Sequence, residues 1–309
     1  MRRIDFFYFF FLKLIIILRI VHLDKIPGII GGFYKLFSYL GNLIYTLTLF
    51  FGIKVSKKVQ SEVIVSLTSY GSRAHNVYKT IDTLLSQSVK PLKIILWLSE
   101  TEFNKDNTPD SLIIRQNKYN HFEVRFCEDL KSHKKYYETM KIFPNSNIVI
   151  ADDDVFYPKN WLSTLLELHN QHPQSVCCCI AHKIIIYNNK ISEYGRWEHN
   201  TKEQGPAMNL CPVGVGGVLY PPSSLSSNVF NKDQIRMTCI NADDLWLRIM
   251  GIINRTNVVH TNKYSYPFLS VAGAEKNALS KSNVLENKND DQLQNILKLY
   301  GDLVYKNIN

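Results

Sequence analysis

From residue 63 to residue 172 the chain alternates between two hydrophobic periods. "VIVSLTS" (63–69), "KPLKIILWLSE" (90–100), "FEVRFCED" (122–129) and "SNIVIADDD" (146–154) are short runs that read as strands. "NVYKTIDTLLSQS" (76–88), "KKYYETMKIF" (134–143) and "NWLSTLLELHNQH" (160–172) carry apolar residues at helical spacing. Strands alternating with helices imply an α/β fold with a mainly parallel sheet covered on both faces. Ligands of such sheets bind outside the carboxyl ends of the strands. Here "SLTSYGSR", "LSE", "CEDL" and "ADDD" all follow strand ends, so polar residues gather at one edge. The last third is less regular. It holds a Gly/Pro-rich loop (211–225), a capped helix (241–253) and a C-terminal helix (286–305).

Three consecutive carboxylates, Asp152, Asp153 and Asp154, end the fourth strand. They repel one another, and a buried unpaired carboxylate is costly. In extended backbone, residues i and i+2 point the same way, so Asp152 and Asp154 can converge while Asp153 faces the other side. Two carboxylates at the mouth of a parallel sheet suit Mg²⁺ or Mn²⁺, which bridges one or two protein carboxylates to substrate phosphates. The plainer reading is an acidic turn capping the next helix, but a cap needs one Asp.

Of 309 residues, 45% are hydrophobic and 20% charged, enough for a sizeable core. The net charge of +9 is concentrated at the start. Residues 1–60 hold nine Lys/Arg against Asp5 and Asp24, while the remaining 249 are nearly balanced. A main domain without its own basic excess argues against nucleic-acid binding. Three of the six cysteines, Cys177, Cys178 and Cys179, lie inside "SVCCCIAHKIIIY", which reads as one buried strand. Without a CxxC or Cys/His ladder, zinc is not expected, and unpaired thiols suit a reducing cytosol.

The opening "FFYFFFLKLIIILRI" is broken by Lys13 and Arg19, and the next apolar run carries Lys35 and several glycines. Basic residues among Phe, Tyr and Leu suit helices lying in the interface of an anionic membrane. A true span or ordinary core helices are the other readings. The expected division is a membrane-associated helical segment (1–53), a linker (54–61) and a main domain (62–305).

"VIVSLTSYGSR", "SQSVKPLKIILWLSE", "ADDDVFYPKNW", "GVGGVLYPPSSL" and "ADDLWLRIM" together resemble a bacterial glycosyltransferase of the GT-A fold, related to glycosyltransferase family 2. The likeness covers about 62–305, with a nucleotide-sugar half (62–160) and an acceptor half (161–305). It implies that Thr68, Ser69, Tyr70 and Arg73 hold the nucleotide, with Glu100 where the family usually has an Asp. It further implies Asp129, Lys134, Lys135 and Asp153 on the nucleotide-sugar side, and Gly216, Gly217 and Trp246 near the sugar. Asp152 and Asp154 would ligate Mn²⁺ or Mg²⁺, with His260 as a further candidate. Asp244, or else its neighbour Asp243, would be the base that deprotonates an acceptor hydroxyl.

The expected activity is transfer of a sugar from a nucleotide-diphosphate donor to a lipid-linked or cell-surface glycan acceptor. The resemblance implies inversion at the anomeric carbon. The expected place is the cytoplasmic face of a bacterial inner membrane, where the protein would be peripheral or monotopic. A nucleotidyltransferase and a non-catalytic membrane-associated scaffold are the rival readings.

Overall fold

The computed structural model describes residues 2–26, 28–49, 60–264, 268–272 and 288–308. Residues 50–59, which hold most of the expected linker, lie outside the described residues. In chain order the strands are β1 (Ile64–Thr68), β2 (Lys93–Ser99), β3 (Phe122–Cys127), β4 (Ile148–Ile150) and β5 (Val176–Cys178). The short strands β6 (Ala181–Lys183), β7 (Ile186–Tyr187), β8 (Lys190–Ile191) and β9 (Leu210–Pro212) follow, then β10 (Val218–Tyr220) and β11 (Val258–His260). Seven of these form one sheet in the order β11-β5-β10-β4-β1-β2-β3. β4, β1, β2 and β3 run parallel, β10 is antiparallel to both its neighbours, and β11 is parallel to β5. The fold is therefore α/β with a mostly parallel sheet.

The helices are α1 (Arg2–Ile20), α2 (Ile29–Leu49), α3 (Tyr78–Leu85), α4 (Asp110–Lys118) and α5 (Lys134–Ile142). They continue with α6 (Trp161–Gln171), α7 (Lys232–Thr238), α8 (Asp243–Ile253) and α9 (Lys288–Ile308). Because strand side chains alternate, β1 feeds two cores. Val65 and Leu67 pack with α3, α6 and the α1–α2 pair, whereas Ile64 joins the core under α5, α7, α8 and α9. The segment "SVCCCIAHKIIIY" is not one strand. It breaks after Cys178, and β6 leaves the central sheet to pair with β9. All six cysteines are buried and free.

The inner face of α1 presents Ile4, Tyr8, Phe11 and Ile15 at steps of four, three and four, and all are buried in the same core as the sheet. Asp5 also turns inward and accepts the Lys159 backbone N–H at 3.2 Å. From α2, the Tyr45 hydroxyl donates to the fully buried Asp82, which is also held by a bidentate Arg115 at 2.6 Å. No helix among the described residues is long and apolar enough to cross a membrane. Removing the Tyr45 hydroxyl by Tyr45→Phe takes away one hydrogen bond to a charged acceptor. The expected loss is about 1.5–3 kcal/mol, read from urea unfolding.

Candidate active site

β1 and β4 are in register, with Ser66 opposite Ile150, and the Ala151 N–H donates to the Ser66 carbonyl. This alignment sets the aspartate run beside the loop that leaves β1. The chain bends at Asp153 and Asp154, so the strand alternation expected for the aspartates is not kept. Asp152 pairs with Lys135 at 2.9 Å, while Asp153 and Asp154 share Arg73. Asp153 is the buried member, also receiving the Ser69 hydroxyl. Asp152 and Asp154 keep 27% and 26% of their side chains exposed, which leaves both open to a ligand.

These residues line a cavity of about 830 Å³ at the carboxyl edge of the sheet, a size that suits a small-molecule ligand. From the β1 side come Thr68, Tyr70 and Arg73, with the Arg73 guanidinium 5.3 Å from the centre of the Tyr70 ring. Arg73 is buried and committed to two aspartates, so its work is to hold the acidic run rather than to reach a phosphate. Ser69 acts through Asp153 in the same way. From the α5 side come Asp129, Lys131, Lys134 and Lys135. Asp129 is paired with Lys131 and Lys134. Although burial opposes it, these hydrogen bonds hold its carboxyl down at about 2.

The opposite wall is the start of α8. Asp243 lies 2.8 Å from Lys135, which therefore joins Asp152 to the α8 pair. Burial alone would raise the Asp243 carboxyl, but Lys135 and then His133 outweigh it and hold it low. Asp244 behaves oppositely. Burial and then the charge of Asp243 push it up to about 7, against the opposing effects of Lys135 and the Gly214 N–H it accepts at 2.9 Å. Two adjacent carboxyls with divergent acidity are a pattern found where acid–base chemistry is done. Gly214 makes room for this arrangement: a Cβ there would lie 2.8 Å from Asp244 Oδ1 and 3.1 Å from Lys135 Nζ.

Several expected residues sit elsewhere. Glu100 is exposed and does not line the cavity. Glu102 does, and it accepts the Gly71 N–H at 2.7 Å. Gly216 packs on Ile180, and Gly217 has φ 83° with a Cβ position that falls on the Trp161 ring. Both serve packing, and Val213 and Val215 of that loop face the cavity instead. Trp246 is fully buried, donating to the Val229 carbonyl at 3.2 Å. His260 is buried on β11 and its Nδ1 lies 3.2 Å from the Thr261 carbonyl, away from the cavity lining.

Other lining residues carried no sequence signal. His182, Tyr194, Asn241 and Asn289 reach the cavity from four separate segments. His182 is buried, accepts the Asn200 N–H on Nδ1, and is held down at about 4 by burial and by His199, so it stays neutral near pH 7.

No protein-family model and no curated protein matches the chain. Among solved structures it is similar to the mannosyltransferase PcManGT from Pyrobaculum calidifontis, in complex with GDP-Man and Mn²⁺. The two are 10% identical, with a TM-score of 0.48, covering 86% of this chain and 74% of that one. At that identity and overlap the likeness assigns no activity and no ligand to this chain.

Proposed function

We propose that the chain is a glycosyltransferase of the GT-A type. It would move a hexosyl group from a nucleotide-diphosphate donor to a lipid-linked or cell-surface glycan acceptor, with inversion and with help from a divalent ion. The observation that carries this reading is the single cavity in which the aspartate run faces Asp243 and Asp244 across Lys135. One wall offers phosphate-facing groups and the other offers a carboxylate able to take a proton near neutral pH.

Among the described residues the lining holds seven carboxylates and five Lys/Arg side chains. A bare diphosphate would meet an excess of its own charge there. The partly exposed Asp152 and Asp154 provide hard oxygen donors that suit Mg²⁺ or Mn²⁺ beside substrate phosphates. Among the described residues no group of three His, Cys, Asp or Glu forms a complete metal cluster. The fit therefore rests on two carboxylates, as is usual for Mg²⁺ that also binds phosphate. When bound, such an ion would offset charge building on the departing diphosphate.

The chain's own groups would do the rest. Tyr70 offers a ring for a base, and Thr68 and Glu102 offer polar contacts beside it. Lys131 and Lys134 supply positive charge on the α5 side. Asp244 takes the acceptor hydroxyl proton, held by the Gly214 N–H and standing next to Asp243, which Lys135 pairs. A panel of nucleotide sugars, each with and without Mn²⁺ or Mg²⁺, tests the reading by thermal shift. A true donor at about 100 times its Kd stabilises the folded state by about 2.7 kcal/mol. The ion-dependent part of that shift should shrink in Asp152→Asn and in Asp154→Asn. A panel in which no nucleotide sugar stabilises the protein with either ion overturns the proposal.

A further inference from the structure

The inner faces of α1 and α2 are used up by the core, but the outer faces are apolar as well. Ile20 is 71% exposed, Tyr39 69% and Phe6 63%, and Ile16, Ile17 and Leu43 are about half exposed or more. Monomeric proteins rarely leave so many large apolar side chains together in water without a partner. Among the described side chains exposed on this face the charge has one sign. Lys13 and Arg19 of α1, Lys35 of α2 and Lys25 in the turn between them are all exposed, whereas Asp5 points into the protein.

The helix pair is also tied to the catalytic cavity. Tyr34 and Lys35 of α2 are part of its lining. The Tyr34 hydroxyl donates to the Phe268 carbonyl at 2.7 Å, and Asn42 Nδ2 donates to the Ser270 carbonyl at 2.9 Å. Ser270 in turn bridges to Val155, and the Val271 N–H donates to the Asp154 carbonyl at 2.7 Å. A short run of hydrogen bonds thus leads from α2 to the end of the aspartate run. Lys35 stands at the seam, one turn before Tyr39 and beside Leu36 on the open face.

We propose that the outer face of the α1–α2 pair docks on an anionic bilayer surface and thereby turns the mouth of the cavity toward acceptors held in that surface. This rests on the transferase reading only for its second half. A bilayer is chosen over a second copy of the chain because two such faces brought together would set like charges against each other. Anionic lipid supplies both the apolar layer and the opposite charge. With no helix among the described residues able to span, the attachment is interfacial.

The test uses the full chain and sedimentation with vesicles. It should pellet with vesicles containing anionic phospholipid and much less with phosphatidylcholine alone. About 0.5 M salt should weaken the binding, because the attraction is screened. The double variant Ile17→Glu, Leu43→Glu should lose tenfold or more in vesicle affinity, with its thermal midpoint checked against the parent. With an active donor in hand, an alkyl-linked acceptor should show a lower KM on vesicles than the same sugar without its chain. Failure to bind anionic vesicles, or binding indifferent to lipid charge and salt, overturns the proposal. So does a lipid-free dimer that the double variant dissolves. If vesicle binding holds and no sugar donor is used, the transferase reading fails and the docking surface stands; equal KM values for the two acceptors remove the claim about the cavity mouth.

Discussion

Under the proposed transferase activity, Asp244→Asn is expected to lower sugar transfer by roughly 10²–10⁴-fold at pH 8, the usual contribution of a positioned general base. Donor affinity should change far less, because Asp244 stands on the α8 wall, across the cavity from Thr68 and Tyr70. The pH profile should carry the same residue's signature. An acceptor hydroxyl is deprotonated only by the ionised form, and burial together with Asp243 lifts the Asp244 carboxyl to about 7. Activity should therefore be full above that pH and fall about tenfold per unit below it. Steady-state rates from pH 5.5 to about 9, for parent and variant, check both statements. An Asn variant that transfers sugar nearly as fast as the parent would take Asp244 out of the chemistry.

Lys135→Met should cost about 3 kcal/mol or more, since it removes one partner of a buried ion pair and strands the other. Lys135 and Asp243 have 5% and 9% of their side chains exposed, so water cannot repair the loss. At roughly 2–4 °C per kcal/mol for a domain of roughly this size, the midpoint should fall by about 6–12 °C. The sign with pH follows from Asp243, whose carboxyl is held low in the folded protein. That contribution is present above the ordinary carboxylate pKa and disappears as the pH falls through the lowered one. The gap between parent and variant should thus be widest near neutrality and narrow in acid. Adding Asp243→Asn should recover part of the stability, because the two residues are in contact and their effects cannot add. A single variant as stable as the parent at pH 7 would show that the pair contributes little.

Much of the architecture was legible in the chain. The strands β1 to β4 and the helices α3, α5, α6, α8 and α9 fall on the runs whose period announced them. α4, which follows Pro109, was not anticipated from periodicity, and the triple-cysteine run proved to hold three short strands. Gly216 and Gly217 looked like a ligand loop because a glycine's sequence context does not say whether ligand or core approaches it. Trp246 and His260 were ambiguous for the same reason: an aromatic ring or a lone imidazole reads alike in a core and in a pocket. Glu102 displaced Glu100 because the chain turns after β2 and sends a carboxylate two residues later toward the Gly71 N–H.

Local order along the chain was enough to determine a mostly parallel sheet and an acidic run at the end of one strand. It also placed a second acidic pair at the start of a helix. All of these depend on neighbours within a few residues. Which cation answers which carboxylate was decided only by the tertiary structure: Arg73 meets Asp153 across 80 positions and Lys135 meets Asp152 across 17. The electrostatic field at Asp244, like the apolar face left open on the first two helices, comes from groups brought together by folding. Charges and buried surfaces act through space, so their partners are fixed by packing rather than by sequence spacing.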